Sequence, residues 1–241
     1  VGVGVLAYLP SASFVNTATL DGQTLSSAVT AVQLYSRAAS SSTTTTQYSC
    51  ASGDSSVVAV DASTCTVSLS AQQTAGGATA VSVLASFGTV VAQVPLIVWY
   101  PQSLTVQLDD AQLNALAAIA PGSVCNSGDA YQKTTASLSA VFSGGTGVSS
   151  SGQLDVSDLV GFSSSDTSVA LVAGSTVQGV TPGSAQVAAA IASTSVSVTA
   201  ATVVVSSTVV TLSSLSAAAV TSVSWATSPS TYPWLPLDGT F

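Results

Sequence analysis

Apolar and hydroxyl-bearing residues alternate along most of this chain, and short turn signals separate the alternating runs. Clear examples are residues 66–70, 80–84, 103–108 and 194–199. A period of two places apolar side chains on one face of a strand and hydroxyls on the other. Glycine-containing turn pairs stand at residues 76–77, 144–145 and 182–183. The pattern therefore predicts an all-β chain of short strands joined by turns.

One segment, residues 109–120, predicts a helix of one or two turns instead. Asp109 and Asp110 can cap its start, Leu113 and Leu116 follow at helical spacing, and a Pro-Gly pair comes after it. The same two aspartates could bind calcium. The capping interpretation is preferred, because calcium takes six or more oxygen ligands and no loop in the sequence clusters them.

An internal repeat organises the chain. Residues 54–60 (Asp-Ser-Ser-Val-Val-Ala-Val) match residues 166–172 (Asp-Thr-Ser-Val-Ala-Leu-Val) at an offset of 112. Residues 94–98 run parallel to residues 201–205 at an offset of 107. A small insertion inside one repeated unit explains the difference between the offsets.

The repeat length sets the expected domains. A unit of about 105 to 110 residues has the size of an immunoglobulin-like β-sandwich. We therefore expect one sandwich at residues 1–101 and a second at residues 102–206. Residues 207–241 would begin a further unit or form a docking tail.

Composition supports strands and excludes several functions. Of 241 residues, 47% are hydrophobic and only 5% are charged, and Glu is absent. Ordinary helix surfaces need Glu, Lys, Arg and Gln, whereas β-branched residues suit pleated sheets. The net charge of −8 excludes a nucleic-acid partner, since phosphate binding needs several cations, and it argues against docking on anionic membranes.

Catalytic constellations are hard to build from this sequence. With no His and no Glu, neither a histidine base nor a Glu acid/base pair is available. A Ser/Lys dyad would require Lys133, which is better explained as a solvated strand residue. Asp155 and Asp158, three residues apart, present the same choice as Asp109 and Asp110, and the capping interpretation is again preferred to a cation site. We expect a protein that is not an enzyme and has no cofactor.

Three cysteines are too few for a zinc site when no His completes the ligand set. Cys50 and Cys65 flank the first copy of the repeated strand and are expected to form a disulfide. Cys125 is then the odd cysteine, either free and buried or paired with another chain or a missing segment.

Aromatic and hydroxyl-rich segments leave alternatives open. Trp99 is expected in a core rather than on a ligand platform. Trp234, between two prolines, could be a ligand platform or could pack across a neighbouring domain or subunit. The 228–230 Ser-Pro-Ser segment would be glycosylated at hydroxylated Pro229 only in a plant or algal host. A hydroxyl tract is either a flexible loop or an O-glycosylation site. It consists of Ser40, Ser41, Ser42, Thr43, Thr44, Thr45 and Thr46.

Targeting signals are also missing from the pattern. Residues 1–10 lack the basic region of a signal peptide, and the apolar stretch at 185–210 is interrupted by Ser and Thr throughout. This stretch is interpreted as strands rather than a membrane span. A mature internal segment of a longer protein fits these observations.

Two families resemble this chain. Residues 161–170 and 177–185 (Val-Gln-Gly-Val-Thr-Pro-Gly-Ser-Ala) resemble the bacterial immunoglobulin-like group 2 domain. Residues 94–101 followed by 108–113 are similar to the transmembrane protein 132 ectodomain. Cys125 with the later Tyr131-Gln132 pair and residues 154–160 continue that similarity in the same order. The resemblance implies a cell-surface adhesion or scaffold ectodomain without catalytic activity.

The bias toward Ala, Ser, Thr and Val, with Ser-Pro segments, also resembles green-algal extracellular proteins, among them ciliary-hair (mastigoneme) subunits. We therefore expect an extracellular, glycan-bearing structural or adhesive segment. Its expected partners are other protein chains in a homo-oligomer or filament, located at the cell surface and specifically at the ciliary surface. The alternative is a carbohydrate-binding or cell-adhesion receptor module.

Overall fold

The computed structural model describes residues 2–35, 48–85, 90–116, 130–148 and 150–210. Within these ranges strands dominate, as expected for a chain rich in Val and Thr. The first half of the chain forms eight strands, one short helix and the beginning of a ninth strand. They are β1 (Gly2–Tyr8), β2 (Ser13–Val15), α1 (Ala18–Asp21), β3 (Leu25–Ala28), β4 (Thr30–Tyr35), β5 (Tyr48–Ser52), β6 (Ala59–Asp61), β7 (Thr66–Leu69), β8 (Gly77–Ala85) and β9 (Val91–Leu108).

The second half repeats this plan with strands and one 3₁₀ turn at Ser157–Leu159. The strands are β10 (Gln112–Leu116), β11 (Ala130–Tyr131), β12 (Lys133–Ser143), β13 (Leu154–Asp155), β14 (Gly161–Ser164), β15 (Ala170–Ala173), β16 (Thr176–Gly179), β17 (Gly183–Ala190), β18 (Val198–Thr199) and β19 (Ala201–Val210). The all-β prediction is confirmed.

The strands form two sandwiches in series. In the first sandwich, the β5-β8-β9 ladder, with β2 on the far side of β9, faces a layer made of β1-β4 and β3-β7-β6. In the second sandwich, β11-β10-β19-β17-β14 faces β15-β16-β12-β9. Each sandwich has its own cluster of buried residues. The fold class is therefore a tandem pair of immunoglobulin-like sandwiches.

Equivalent strands have the same register in the two sandwiches. Ser13, Phe14 and Val15 of β2 pair in parallel with Ile97, Val98 and Trp99. At the repeat offset of 107, residues 97–99 of β9 correspond to residues 204–206 of β19. There, Gln112, Leu113 and Asn114 of β10 pair in parallel with Val204, Val205 and Ser206. The sequence repeat is thus a repeat of hydrogen-bonded geometry.

The predicted helix at residues 109–120 is wrong, because Gln112–Leu116 is strand β10. Leu113 is fully buried while Gln112 and Leu116 face outward, which is strand alternation rather than a helical stripe. Pairing of β10 with β19 supplies backbone hydrogen bonds that outweigh the local helical spacing of two leucines. Asp110 does not cap a helix; its Oδ1 accepts the Gln112 N–H at 2.8 Å.

The repeated Asp-x-Ser segments form identical turns. The Asp54 Oδ1 accepts the backbone N–H of Ser56 at 2.9 Å and its hydroxyl at 2.6 Å. Asp166 does the same with Ser168, at 2.9 and 2.6 Å. In both cases the Ser hydroxyl is the main cause of a lowered pKa of the carboxyl group. The ionised Asp therefore orders each turn.

Cys50 and Cys65 form the expected disulfide, with sulfurs 2.07 Å apart. Both cysteines are buried in the first core, at 4% and 2% exposure. Cys65 has a φ of 53° and its carbonyl accepts the Val29 N–H at 2.9 Å. The bridge therefore joins the β5 edge to the β6–β7 turn inside the core.

Replacing both bridged cysteines with Ala is expected to lower the free energy of unfolding by about 3 kcal/mol, because a closed loop of about 15 residues is opened in the unfolded chain. Urea unfolding of the wild type and the double variant measures the difference. Equal midpoints and slopes for the two proteins would show that the bridge does not constrain the unfolded chain.

Asp61 generates a pH prediction. The hydroxyl of Ser63, then the N–H groups of Thr64 and Ser63, lower its pKa from 3.8 to about 2. The unfolded chain therefore takes up the proton first, so the stabilisation is present above pH 3.8 and is lost as pH falls toward 2. Unfolding free energies measured from pH 5 to pH 2 should fall less steeply in Asp61→Asn, and parallel curves would contradict this assignment.

Candidate functional site

Strand β9 joins the two sandwiches without a linker. It pairs with β8 from Val91 to Val98 and with β12 from Tyr100 to Leu108. Trp99, between these two segments, pairs with Val15 of β2. All residues from Val91 to Leu108 except Gln102 are paired in one of these ladders; Gln102 is skipped at a register shift opposite Val141 and Phe142. The predicted boundary after residue 101 therefore falls inside one strand. A junction of this kind fixes the orientation of the sandwiches, so it is the candidate functional site.

Helix α1 crosses from the first sandwich to the second. Leu20 is 2% exposed and belongs to the buried cluster of the second sandwich. The Leu20 carbonyl accepts the Ala192 N–H at 3.1 Å, and the Thr19 carbonyl accepts the Ser193 N–H at 2.9 Å. The helix ends at Gly22, which adopts the left-handed conformation that glycine favours. Sequence analysis missed this contact, although the Leu-Asp-Gly order is a helix-end signal.

Asn16 holds the start of this helix in place. It is completely buried, and its side-chain Nδ2 donates to the Ser70 carbonyl at 3.2 Å. Its backbone N–H donates to the Trp99 carbonyl at 2.9 Å, and its own carbonyl accepts the Thr19 hydroxyl at 2.8 Å. One buried asparagine residue therefore connects the end of β7, strand β9 and helix α1.

Two of the glycine pairs noted in the sequence, at residues 76–77 and 144–145, meet at this junction. A Cβ on Gly76 would collide with the Ser143 carbonyl oxygen and would lie 2.8 Å from both the Tyr100 Cβ and the Val98 oxygen. A Cβ on Gly145 would lie 2.7 Å from the Gly77 Cα, and Gly145 itself has a φ of 83°. The pairs are thus contact points between backbones as well as turns.

Trp99 is half-buried at the junction rather than fully enclosed in a core. Its ring packs against the second hydrophobic cluster, and its Nε1–H donates to the Ser13 hydroxyl at 3.0 Å. A buried ring whose polar tip finds a partner is a structural role for tryptophan. The expectation of a core position is therefore met only in part, since the ring packs on the second core but stays half-exposed.

The acidic residues singled out from the sequence occupy surface turns. Asp155 Oδ1 accepts the Ser157 N–H at 2.9 Å and its hydroxyl, which is the main cause of a lowered pKa of Asp155. Asp155 and Asp158 line a groove of about 470 Å³ together with Phe162. Among the described residues no group of three His, Cys, Asp or Glu could hold a metal ion. Lys133 begins β12 and is exposed.

The remaining predicted site residues lie outside the described ranges. They are Cys125, Pro229, Trp234 and the hydroxyl tract at residues 40–46. Their proposed roles as interchain thiol, glycan sites and partner contact stay predictions. In the part of the chain that is described, no helix is long and apolar enough to cross a bilayer.

Comparison with known proteins gives one family match. Residues 4–103, the first sandwich, match the family model described as the TMEM132 fourth domain, an immunoglobulin-like domain. The match supports the family resemblance, although of the motifs that suggested it only residues 94–101 fall inside the matched range. No curated protein matches.

Solved structures are similar at low identity. Domains 5–6 of the S-layer protein SbsC are 18% identical with a TM-score of 0.28, covering 86% of this chain and 99% of that one. A C-terminal intimin fragment, solved in complex with a translocated intimin receptor domain, is 15% identical with a TM-score of 0.26, covering 86% of this chain and 64% of that one. Drosophila N-cadherin EC1–4 is 11% identical with a TM-score of 0.28, covering 84% of this chain and 49% of that one. At these identities and TM-scores the likeness gives no information about role, and the ciliary-hair prediction stays a prediction.

Gly76→Ala is expected to loosen the junction, because the added methyl group cannot be accommodated beside Ser143 and Tyr100. The thermal midpoint should fall by several degrees, as expected for a core overpacking cost of about 1–3 kcal/mol. Gly152→Ala is the matched control, since nothing lies within 4 Å of its Cβ position. Equal midpoints for the two variants would argue against close backbone packing at the junction.

Proposed function

We propose that this chain is a non-catalytic extracellular segment that acts as a stiff structural or adhesive unit through contacts with other protein chains. The observation that carries the proposal is the single continuous strand β9, which pairs with β8 of one sandwich and β12 of the other. A flexible linker would let two binding modules move independently. A shared strand instead keeps the two sandwiches at a fixed spacing and angle, as a structural or array-forming segment requires.

The distribution of chemistry supports the same function. The sequence has no His and no Glu, and its 5% of charged residues leaves few groups for acid/base work. Several of the aspartates accept hydrogen bonds within turns, as Asp54, Asp61 and Asp166 do. The match of the first sandwich to a TMEM132 domain model supports an extracellular setting.

The finer proposal is a subunit of a filament or surface glycoprotein assembly with O-linked glycan on its hydroxyls. The low charge supports it, because uncharged strand surfaces need covering by other chains or by sugar. The green-algal ciliary hair suggested by composition is one such assembly. Its location would be the ciliary surface.

The alternative, a carbohydrate-binding module, depends on exposed aromatic side chains. Tyr8 of β1 is 50% exposed beside Leu6, which is 56% exposed, and sugars stack on such rings. This pair is the observation that favours the alternative.

Two measurements on the full chain separate the functions. Amide ¹⁵N relaxation should give a common rotational diffusion tensor for residues of both sandwiches, because they share β9. A glycan array should give no specific binding, with Tyr8→Ser as a control for any weak signal. Independent tumbling of the sandwiches, or a glycan signal that disappears in Tyr8→Ser, would contradict the proposed function.

A further inference from the structure

The two sandwiches differ at one equivalent edge strand. β5 is the last strand of its sheet beside β8, and β14 is the last strand of its sheet beside β17. Cys50 of β5 lies opposite Val83, and at the corresponding place Phe162 of β14 lies opposite Ala189. The two edge strands therefore have the same register, and their outer edges can be compared residue by residue.

In the first sandwich the outer edge of β5 is closed by the turn between β6 and β7. The Gly53 N–H donates to the Ala80 carbonyl at 2.9 Å, so the alternation of an antiparallel ladder directs the Cys50 N–H away from β8. That N–H donates to the Ala62 carbonyl at 3.2 Å. The disulfide to Cys65 ties the same turn to the strand.

In the second sandwich the same alternation directs backbone groups of β14 outward. The Ser165 N–H donates to the Gln186 carbonyl at 2.9 Å. The N–H and carbonyl groups of Phe162 and Ser164 therefore point away from β17, toward the outer edge.

The turn that closes the first sandwich has a shorter counterpart in the second. Residues 62–65 separate β6 from β7, whereas residues 174–175 alone separate β15 from β16. The shorter turn consists of Gly174 and Ser175, so it has no cysteine to bridge to β14. Among the described strands, none pairs with the outer edge of β14. Its backbone groups are therefore open to another chain.

A groove of about 470 Å³ lies along this open edge. Gly161 and Phe162 of β14 form one wall, and Gly174 and Ser175 belong to the lining as well. A Cβ built on Gly161 or on Gly174 would meet nothing within 4 Å. An extended backbone therefore has room to approach β14.

β14 also lacks the features that usually block an edge strand. Its sequence, Gly-Phe-Ser-Ser, has no charge and no proline, and its ladder with β17 has no register shift. Of the side chains that line the groove, the charged ones are Asp155 and Asp158, and both are exposed. The Phe162 ring packs against the second core, so the inner side of the edge is apolar. An incoming strand is therefore favoured by an apolar side chain facing inward and by a positive charge.

We propose that the outer edge of β14 binds an extended segment of a partner protein by strand addition, with an apolar side chain opposite Phe162 and a Lys or Arg near Asp155 and Asp158. The proposal rests on the proposed function and names the surface through which the unit contacts another chain. Only a strand satisfies the N–H and carbonyl groups of Phe162 and Ser164 together. The chain itself has only two cations, so a second copy is a poor source of a basic segment.

Amide hydrogen exchange of the full chain tests whether the edge is open. The Phe162 and Ser164 amides should exchange quickly, whereas the Cys50 amide should be protected by its bond to the Ala62 carbonyl. Equal protection of Phe162 and Cys50 would show that the edge is already covered and would overturn the proposal.

Titration with a capped peptide, Lys-Val-Thr-Val-Lys-Val-Thr, tests strand addition. Amide ¹⁵N spectra of the full chain should show shifts centred on Phe162 and Ser164, and both amides should become protected. The same peptide with Glu in place of Lys should bind more weakly, and binding of the Lys peptide should decrease as salt screens the attraction to the aspartates.

Two proline variants form a matched pair. Ser164→Pro removes an N–H that points outward and so spares the ladder with β17; it should weaken peptide binding on the order of tenfold, as the loss of one hydrogen bond predicts. Ser52→Pro is the control on the closed edge, because the Ser52 hydroxyl accepts the Asp54 N–H as the Ser164 hydroxyl accepts that of Asp166. It should leave binding unchanged.

A third variant tests the charge without touching the backbone. Asp158→Asn should weaken binding of the Lys peptide and reduce its dependence on salt. Thermal midpoints close to that of the wild type confirm that each variant is folded.

The outcomes separate this proposal from the proposed function. Absence of shifts at millimolar peptide, or equal binding by Ser164→Pro and the wild type, would overturn strand addition at β14. Equal binding of the Glu peptide would overturn a basic partner, and Phe162 shifts that depend on the concentration of the chain alone would assign the strand to a second copy instead. The tumbling and glycan-array results do not depend on the peptide, so the proposed function stands or fails separately.

Discussion

The period of two along β9 is the constraint on which the structure depends. Val94, Leu96 and Val98 point into the first core, and Leu104 and Val106 point into the second, all at even positions of one strand. Gln102 is unpaired at a register shift in the β12 ladder, yet the even positions on both sides of it still point inward. Because a one-residue slip exposes every buried side chain, the register of β9 determines both cores together.

Contacts around β9 also hold the two sandwiches in one orientation, which is a role that a single sandwich would not require. Leu20 leaves the first sandwich to fill the second core, so removing the second sandwich would expose it. Gly76 and Gly145 let the turn backbones approach at distances that any side chain would prevent. The orientation of the two sandwiches is therefore encoded by residues that contribute little to either core alone.

The sequence predicted the parts of the fold that depend on local pattern. Alternation identified strands, and the repeat located equivalent turns at Asp54 and Asp166 with the same hydrogen bonds. Cys50 and Cys65 could be paired because both flank one strand region. The residues at 109–120 were predicted wrongly, because the helical spacing of Leu113 and Leu116 is local whereas the pairing of β10 with β19 spans about ninety residues. Long-range pairing of this kind overrides propensity and leaves little local signal.

The junction was missed for a related reason: its residues look ordinary in sequence. Asn16 in a polar stretch and glycine pairs in turns carry no mark of what they touch in space. Their roles emerge only when β2, β8 and β12 are brought to β9. A site made of backbone contacts is thus harder to predict than a catalytic one, since no distinctive chemistry accompanies it.

The placement of charge in the described part of the chain follows its turns. Six aspartates accept the N–H group two residues further on, namely Asp21, Asp54, Asp61, Asp110, Asp155 and Asp166. Such turns use the carboxylate to order the backbone, so most of the charged side chains in the described part of the chain are committed to turn geometry. Strand β9, which connects the two sandwiches, carries no charge along its whole length. Its position therefore depends on backbone pairing and on the burial of apolar side chains, and the carboxylates act on the turns around it.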